Sequence, residues 1–161
     1  MPPAEAVLYA ARIGRDKNRT PMQWSDAPNA GFSPTGVQTW LPVNPNYAQG
    51  VNVANQLAEP GSLLNFYRRL LRMRKQTPAL IAGDYTPLHE DAQDYLAFLR
   101  SSVSDRQTCL VVLNMSDRAH TLSFDLDTAH LVFSSRARDS STDDLSRLFV
   151  APFEIYIAEL M

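Results

Sequence analysis

The sequence predicts a mainly β protein, in which a C-terminal antiparallel β-sandwich is preceded by one long amphipathic helix and an extended, loop-rich segment. Three observations lead to this prediction. Short alternating or apolar runs follow one another after Gly83, as in small antiparallel sandwiches. A strong helical repeat occupies residues 62–76. Turn-forming prolines interrupt any period before that repeat. We therefore expect two parts, residues 1–77 and residues 78–161.

The loop-rich segment lacks sustained periodicity up to about Glu59. The turn-forming sequences NAG, SPTG and NPN and several prolines interrupt it, because proline fixes φ while Asn and Gly tolerate positive φ. Loops of this length are uncommon in compact domains and are mostly functional or disordered. Since this one carries Trp24, Trp40 and Tyr47, we expect it to need a surface to pack against.

The sequence SLLNFYRRLLRMRKQ, residues 62–76, predicts the long helix. Ser62 is a suitable N-cap, and Thr77-Pro78 ends the helix because the residue before proline avoids the α region. Basic residues occupy much of the remaining surface and favour the C-terminal end of the helix dipole. Apolar residues recur with the helical period and form a stripe: Leu63, Phe66, Tyr67, Leu70 and Leu71.

Five short runs predict the strands: DYLAFLRSS, TCLVVLNM, HTLSFDL, HLVFSS and FEIYIAEL. The acidic, serine-rich sequence RARDSSTDDLSR predicts an exposed loop between the last two. The single cysteine, Cys109, lies within one of the apolar runs. It cannot form an internal disulfide, so we expect a small buried hydrophobic side chain.

The composition excludes several classes of function. The 161 residues include 15 Lys plus Arg and 17 Asp plus Glu, and this balance gives no electrostatic reason for a nucleic-acid or membrane partner. No apolar run approaches the roughly 18 residues of a membrane span, and the first residues do not follow the secretory pattern. We expect a soluble, cytoplasmic protein. No metal-ligand spacing, phosphate-binding glycine loop or Ser-His-Asp order is present, so we expect no metal and no cofactor.

The sequence GRDKNRTPMQW, residues 14–24, carries the candidate site residues. The planar guanidinium of Arg15 or Arg19 can bind neighbouring hydroxyl groups or a carboxylate through two hydrogen bonds. Trp24 offers a flat apolar face, and together with Asp16 these residues suit a sugar subsite. The alternative, which composition alone favours, is that the charged residues pin the loop through ion pairs and that Trp24 anchors it.

The order of the motifs resembles one family closely. GRDKNRTPMQW, NAGFS, WLPVNPNY, VNVANQ, SLLNFYRRLLRMRKQTPAL and GDY follow one another between Gly14 and Tyr85. This order is similar to the C-terminal part of the alpha-glucosidase and oligo-1,6-glucosidase branch of the alpha-amylase-type glycoside hydrolases (family 13). Trehalose synthases and sucrose-isomerising enzymes share the pattern. The resemblance continues more loosely through the strand-rich half.

The resemblance implies a (β/α)8 barrel followed by a small β-sandwich. Residues 14–56 would form the long loop after the eighth barrel strand, and residues 62–76 the last barrel helix, so that residues 1–77 would be the remnant of the last βα unit. In the family, the two carboxylates that act as nucleophile and general acid/base precede this segment. The resemblance therefore implies a truncated chain without catalytic residues, inactive alone.

The resemblance also implies the substrate-side residues. Arg19 matches the family arginine that reaches the non-reducing glucose, with Arg15 as the alternative, and Asp16 would orient one of them. The ligand of the intact enzyme would be an alpha-glucoside or an oligosaccharide. Ser25 departs from the Asp of many relatives and leaves the sub-branch open.

The resemblance leaves two kinds of partner open, the missing barrel portion and a second copy bound through the helix face. An alternative function is a non-catalytic carbohydrate-binding or barrel-completing accessory β-sandwich. That alternative predicts exposed aromatic side chains on the sandwich.

Overall fold

The computed structural model describes residues 19–161 together with Glu5 and Gly14. The chain divides into two compact units, one ending at Arg68 and the other running from Arg69 to the C-terminus. The division falls within the long helix. The predicted domain boundary between residues 77 and 78 stays a prediction. In the described part of the chain, no helix is long and apolar enough to cross a bilayer.

The first unit is rich in loops, as predicted, but it also contains short helical elements. Two 3-10 turns, Pro28–Gly31 and Pro45–Gln49, precede helix α1, Val53–Ala58. Asn52 caps α1: its side-chain oxygen accepts a hydrogen bond from the Asn55 backbone N–H at 2.9 Å. Sequence analysis did not predict α1, because six residues are too few to show a helical period.

The long helix, α2, spans Leu63–Gln76 and ends where the sequence predicts. The Ser62 hydroxyl oxygen accepts a hydrogen bond from the Asn65 N–H at 3.2 Å, which confirms the predicted cap. At the other end, the Thr77 hydroxyl donates to the Met73 carbonyl at 2.9 Å. No residue of α2 is buried. Half or more of the side chain is exposed at three positions of the apolar stripe: Leu63, Tyr67 and Leu71.

A further short helix, α3, spans Pro78–Ala82 and leads into the strands. These strands are β1 Asp84–Leu88, β2 Tyr95–Ser102, β3 Gln107–Asn114, β4 His120–Leu122, β5 Thr128–Ser134, β6 Thr142–Asp144, β7 Leu148–Val150 and β8 Ile155–Leu160. Six strands form one sheet in the order β1-β2-β3-β8-β5-β6, while β4 pairs with β7. Every pairing is antiparallel. The mainly β fold with one long helix is confirmed.

The two faces of the six-stranded sheet pack differently, because side chains alternate along each strand. One face packs against apolar side chains of β4 and β7, so that both sheets share a single core. The most buried members of this core are Leu110, Val112, Leu122, Leu148, Val150 and Tyr156.

The opposite face receives α3, which packs on β2 and β3. The side-chain carbonyl of Gln107 accepts a hydrogen bond from the Ala79 N–H at 3.0 Å. Gly83 follows at a point of close approach: a Cβ there would lie 2.5 Å from the Ala79 carbonyl oxygen and 2.9 Å from the Ser101 backbone. The absence of a side chain at Gly83 therefore lets α3 turn directly into β1.

The predicted exposed loop RARDSSTDDLSR is wrong in its second half. That half contains β6 and a 3-10 turn, Leu145–Arg147, in which Leu145 is fully buried. Its first half contains Arg138, whose guanidinium Nε donates to the carboxylate of Glu154 at 2.8 Å. Burial of an apolar side chain and neutralisation of a charge hold a polar sequence against the core.

The Glu154 carboxylate is buried, with 2% of the side chain exposed. One oxygen accepts hydrogen bonds from the Ser134 hydroxyl at 2.7 Å and from Arg138, and the other accepts from the Ala151 N–H at 2.8 Å. Burial alone would raise the pKa of Glu154. The three hydrogen bonds and the charge of Arg138 outweigh burial, so the pKa lies below its ordinary value.

Arg138 extends this network toward the core. Its guanidinium lies over the Tyr156 ring, 4.3 Å from the centroid, and donates to the Phe149 carbonyl at 2.8 Å. The Tyr156 hydroxyl donates to Asp143 at 2.9 Å, and Asp143 lies 3.5 Å from Arg138. Burial, followed by the hydrogen bond to Asp143 and its charge, raises the pKa of Tyr156.

We expect Glu154→Gln to lower the free energy of unfolding by about 3 kcal/mol near neutral pH, because it leaves Arg138 buried without its main counter-charge. A depressed carboxylate pKa stabilises the fold above the unfolded pKa of about 4.3. That stabilisation disappears as the pH falls through the folded pKa. The variant should therefore lose less stability than wild type on acidification. Urea unfolding at several pH values measures both effects.

Glu90→Gln provides the control, because Glu90 is exposed and should leave the pH profile unchanged. Equal stability of Glu154→Gln and wild type at neutral pH would contradict the role assigned to the buried carboxylate.

Candidate functional site

The candidate site residues lie at the start of the described chain. Arg19 is exposed at a bend and makes no hydrogen bond or ion pair with another described residue. Arg15 and Asp16 lie outside the described residues. The alternative prediction, in which Arg19 pins the loop through an ion pair, therefore finds no support among residues 19–161.

Gln23, not a charged residue, fastens the motif that follows Arg19. Its side-chain amide donates to the Asn46 side-chain oxygen at 2.7 Å and to the Val51 carbonyl at 2.6 Å. The carbonyl groups of Gln23 and Trp24 accept hydrogen bonds from the first N–H groups of α1, each at 3.0 Å. These N–H groups have no partner within the helix. The TPMQW sequence is thus fixed to the start of α1.

A tight turn closes the loop on the other side of Trp24. The N–H groups of Trp24 and Ser25 both donate to the Ala30 carbonyl, at 2.9 and 3.1 Å. Asn29, Ala30 and Gly31 all have positive φ. A side chain at Gly31 would also approach the Ser25 hydroxyl to 2.6 Å. The NAG sequence is therefore needed for its backbone conformation, as its turn-forming residues predict.

An open cleft of about 390 Å³ lies beside the motif within the first unit. Its wall includes Thr20, Met22 and Gln23 on the loop and Leu63 and Tyr67 on the helix. No Asp or Glu is among the described residues that line it. The cleft can make apolar contacts and a few hydrogen bonds, but those described residues offer no acid or base.

A second polar cluster lies in the strand-rich unit. The Ser116 hydroxyl oxygen lies 3.0 Å from His120 Nε2, and an Asp94 carboxylate oxygen lies 3.8 Å from the same nitrogen. A serine-histidine-aspartate triad requires the serine and the aspartate on different ring nitrogens. This cluster therefore cannot act as one.

The remaining titratable side chains have structural surroundings. His89 Nδ1 lies 2.8 Å from the Tyr95 hydroxyl, and the His89 ring stacks on Phe124 with centroids 4.7 Å apart. Desolvation raises the pKa of Tyr95. Among the described residues, no group of three or more His, Cys, Asp or Glu side chains could hold a metal ion.

The strand-rich fold, the long helix and the fastened loop agree with a known class of protein. The family model for the alpha-amylase catalytic domain matches residues 3–83, half of the 161-residue chain. This chain belongs to the alpha-amylase family. The predicted resemblance to the alpha-glucosidase and oligo-1,6-glucosidase branch is confirmed.

The curated relatives are glucosidases. The chain is 36% identical over 160 residues to a glucan 1,6-alpha-glucosidase of Streptococcus pneumoniae, a match that covers 99% of this chain and 28% of that protein. It is 31% identical over 162 residues to an oligo-1,6-glucosidase of Parageobacillus thermoglucosidasius, covering 98% and 28%. The chain thus spans about a quarter of the length of these relatives.

Solved structures support the same family. The trehalulose synthase of Pseudomonas mesoacidophila is similar with a TM-score of 0.78 at 33% identity, over 91% of this chain and 26% of that one. The isomaltulose synthase of a Klebsiella species is similar with a TM-score of 0.77 at 28% identity, over the same shares. Trehalulose and isomaltulose synthases thus stand beside glucosidases among the similar proteins.

We expect Gln23→Glu to loosen the loop, because it places a carboxylate against two hydrogen-bond acceptors, Asn46 Oδ1 and the Val51 carbonyl. The amides of Val53 and Ala54, which donate to the Gln23 and Trp24 carbonyls, should then exchange at least about tenfold faster with solvent deuterium. Hydrogen exchange measured by mass spectrometry or NMR tests this.

Gln38→Glu makes the same chemical change at an exposed position and should leave these amides unaffected. Equal exchange in wild type and Gln23→Glu would show that Gln23 does not fix the loop.

Proposed function

We propose that this chain forms the C-terminal portion of an alpha-glucosidase-type enzyme and contributes a substrate-side arginine to the sugar site. The observation that carries the proposal is the arrangement around Arg19. Its guanidinium has no partner among the described residues, and the loop that follows is fixed by Gln23 at 2.6 and 2.7 Å. A binding residue next to a fixed segment is better positioned than one on a free loop.

Arg19 would bind sugar hydroxyl groups through its planar fork of donors. Arg15 is the alternative for this role, and Asp16 would orient one of the two. The ligand would be an alpha-glucoside or an oligosaccharide, as the names of the relatives suggest. Hydrolysis and isomerisation both remain open for the whole enzyme, since the similar structures include trehalulose synthase.

The same proposal holds that the chain is not catalytic alone. Retaining glycosidases need two carboxyl groups about 5–5.5 Å apart, and no carboxylate is among the described residues that line the cleft beside Arg19. In the intact enzyme, residues 1–77 would form the end of the barrel and residues 78–161 a C-terminal β-sandwich. The remaining barrel would supply the catalytic carboxylates.

The exposed side chains of α2 favour a further partner surface. Leu63 is 65% exposed and Tyr67 54%, and both line the cleft of the first unit. The missing barrel portion would cover these side chains, or a second copy of the chain would do so in its absence. A cytoplasmic location is part of the proposal and is supported by Cys109, a free buried thiol.

A second candidate function is carbohydrate binding without catalysis. Three aromatic side chains of the strand-rich unit are more than half exposed, Tyr85, Phe149 and Phe153. The faces of exposed aromatic rings suit the apolar faces of sugars. In contrast, Phe124 and Tyr156 are buried and belong to the core.

We expect the purified chain to show no turnover of 4-nitrophenyl alpha-glucoside, maltose or isomaltose. To test the role of Arg19, this chain would replace the aligned segment of the Streptococcus pneumoniae glucan 1,6-alpha-glucosidase. The chimera should hydrolyse alpha-1,6-glucosides. In the chimera, Arg19→Ala should lower kcat/KM at least about tenfold, because a charge-assisted hydrogen bond is lost.

Arg118→Ala is the matched control, because Arg118 is exposed in the strand-rich unit and should not affect kcat/KM. Turnover by the isolated chain, or an active chimera that is insensitive to Arg19→Ala, would overturn the proposal.

The second candidate predicts that the isolated chain binds maltooligosaccharides. Calorimetric titration with maltoheptaose should show saturable binding that Tyr85→Ala or Phe149→Ala weakens by about tenfold, as the loss of a stacking contact would do. Thr121→Ala, next to Phe149 across β4 and β7, is the control. Absence of binding would remove this candidate.

A further inference from the structure

A small cavity lies within the strand-rich unit, between the helices and the outer face of the six-stranded sheet. Its volume is about 290 Å³, near the lower end for small-molecule pockets. The wall is mainly apolar and comes from α2, α3 and strands β2, β3 and β8: Leu70, Met73, Leu80, Phe98, Val111 and Ile157. Two guanidinium groups, those of Arg74 and Arg100, complete the wall.

Arg100 has no counter-charge in this cavity. Its Nε is shielded from solvent and has no hydrogen-bond partner in the described structure, and its guanidinium forms no ion pair with a described residue. Its cross-strand neighbours are Tyr85 and Cys109. Neither supplies a negative charge, since burial and the nearby charge of Glu159 raise the pKa of the Cys109 thiol to about 11.

The nearest carboxylate along the same sheet rows is already engaged. Glu159 lies opposite Cys109 on β8, and its carboxylate accepts a hydrogen bond from the Gln107 side chain at 3.0 Å. A shielded guanidinium nitrogen without an acceptor is unfavourable, because it gives up its hydration and gains no hydrogen bond. This requirement points to an anion in the cavity.

The cavity also restricts the shape of that anion. It is too small for a helix or a strand of a partner protein, and its wall offers few polar groups beyond the two arginines. A phosphate group needs several donors, whereas a carboxylate can be satisfied by one guanidinium with support from a second. The apolar wall suits a hydrocarbon chain.

We propose that this cavity binds a small monocarboxylate with an apolar chain, whose carboxylate pairs with Arg100 and whose chain contacts Phe98, Val111 and Ile157. Arg74, which is exposed, adds a second positive charge at the same cavity. The site is independent of the proposed glucosidase function, because every residue in it belongs to the strand-rich unit.

Octanoate is the probe, and the full chain is the protein. Calorimetric titration should show saturable binding of octanoate. 1-Octanol, which lacks the charge, and acetate, which lacks the chain, should each bind at least about tenfold more weakly. Arg100→Met keeps an apolar stem of similar length and should weaken octanoate binding by about the same factor. Arg147→Met, at an exposed arginine of the same unit, should bind octanoate like wild type.

Thermal unfolding gives a second readout. Without ligand, Arg100→Met should melt at a higher temperature than wild type, because an unpaired charge has been removed from the cavity. Octanoate should raise the melting temperature of wild type and leave that of the variant unchanged.

Three results would overturn the proposal. These are no saturable binding of octanoate, equal affinity for 1-octanol and octanoate, or equal octanoate affinity in Arg100→Met and wild type. A more stable Arg100→Met variant without octanoate binding would also overturn it, and would assign Arg100 to a carboxylate of another polypeptide segment.

Discussion

The packing of the strand-rich unit depends on one buried carboxylate. Glu154 receives hydrogen bonds from the end of β5, from the loop after it and from the turn before β8. An unpaired charge in the interior would be costly, so these three segments have to converge before the core can close. Arg138, held by the same carboxylate, also donates to the Phe149 carbonyl of β7. One polar centre therefore positions parts of both sheets.

Much of this fold could be predicted from the sequence, and the exceptions have physical reasons. The central strands β2, β3 and β8 carry long apolar runs because both of their faces are covered. β1 was missed because Pro87 interrupts it, and proline is tolerated in a strand only at a sheet edge, where β1 lies. β6 and β7 have three residues each, too few to establish an alternating pattern. Arg138 looked solvated because its partner, Glu154, is 16 residues away in sequence.

The site was predicted less completely than the fold. The motif around Arg19 indicated a sugar subsite, but charged residues were expected to hold its loop. The structure instead uses the neutral amide of Gln23 and the capping carbonyls of Gln23 and Trp24. No local pattern could show this, because the partners Asn46 and Val51 lie more than 20 residues away. A loop held without its charged side chains leaves Arg19 available for a ligand.

The single cysteine gives this unit a built-in chemical reporter. Cys109 lies fully buried in β3, the third strand of the six-stranded sheet, and its thiol is held in the protonated form by the raised pKa. Thiol reagents attack the thiolate, so the native sheet protects this sulfur from alkylation and oxidation. Modification requires the sheet to open. The rate of alkylation at Cys109 therefore measures how often β3 separates from its neighbours, with no label or substitution added to the chain.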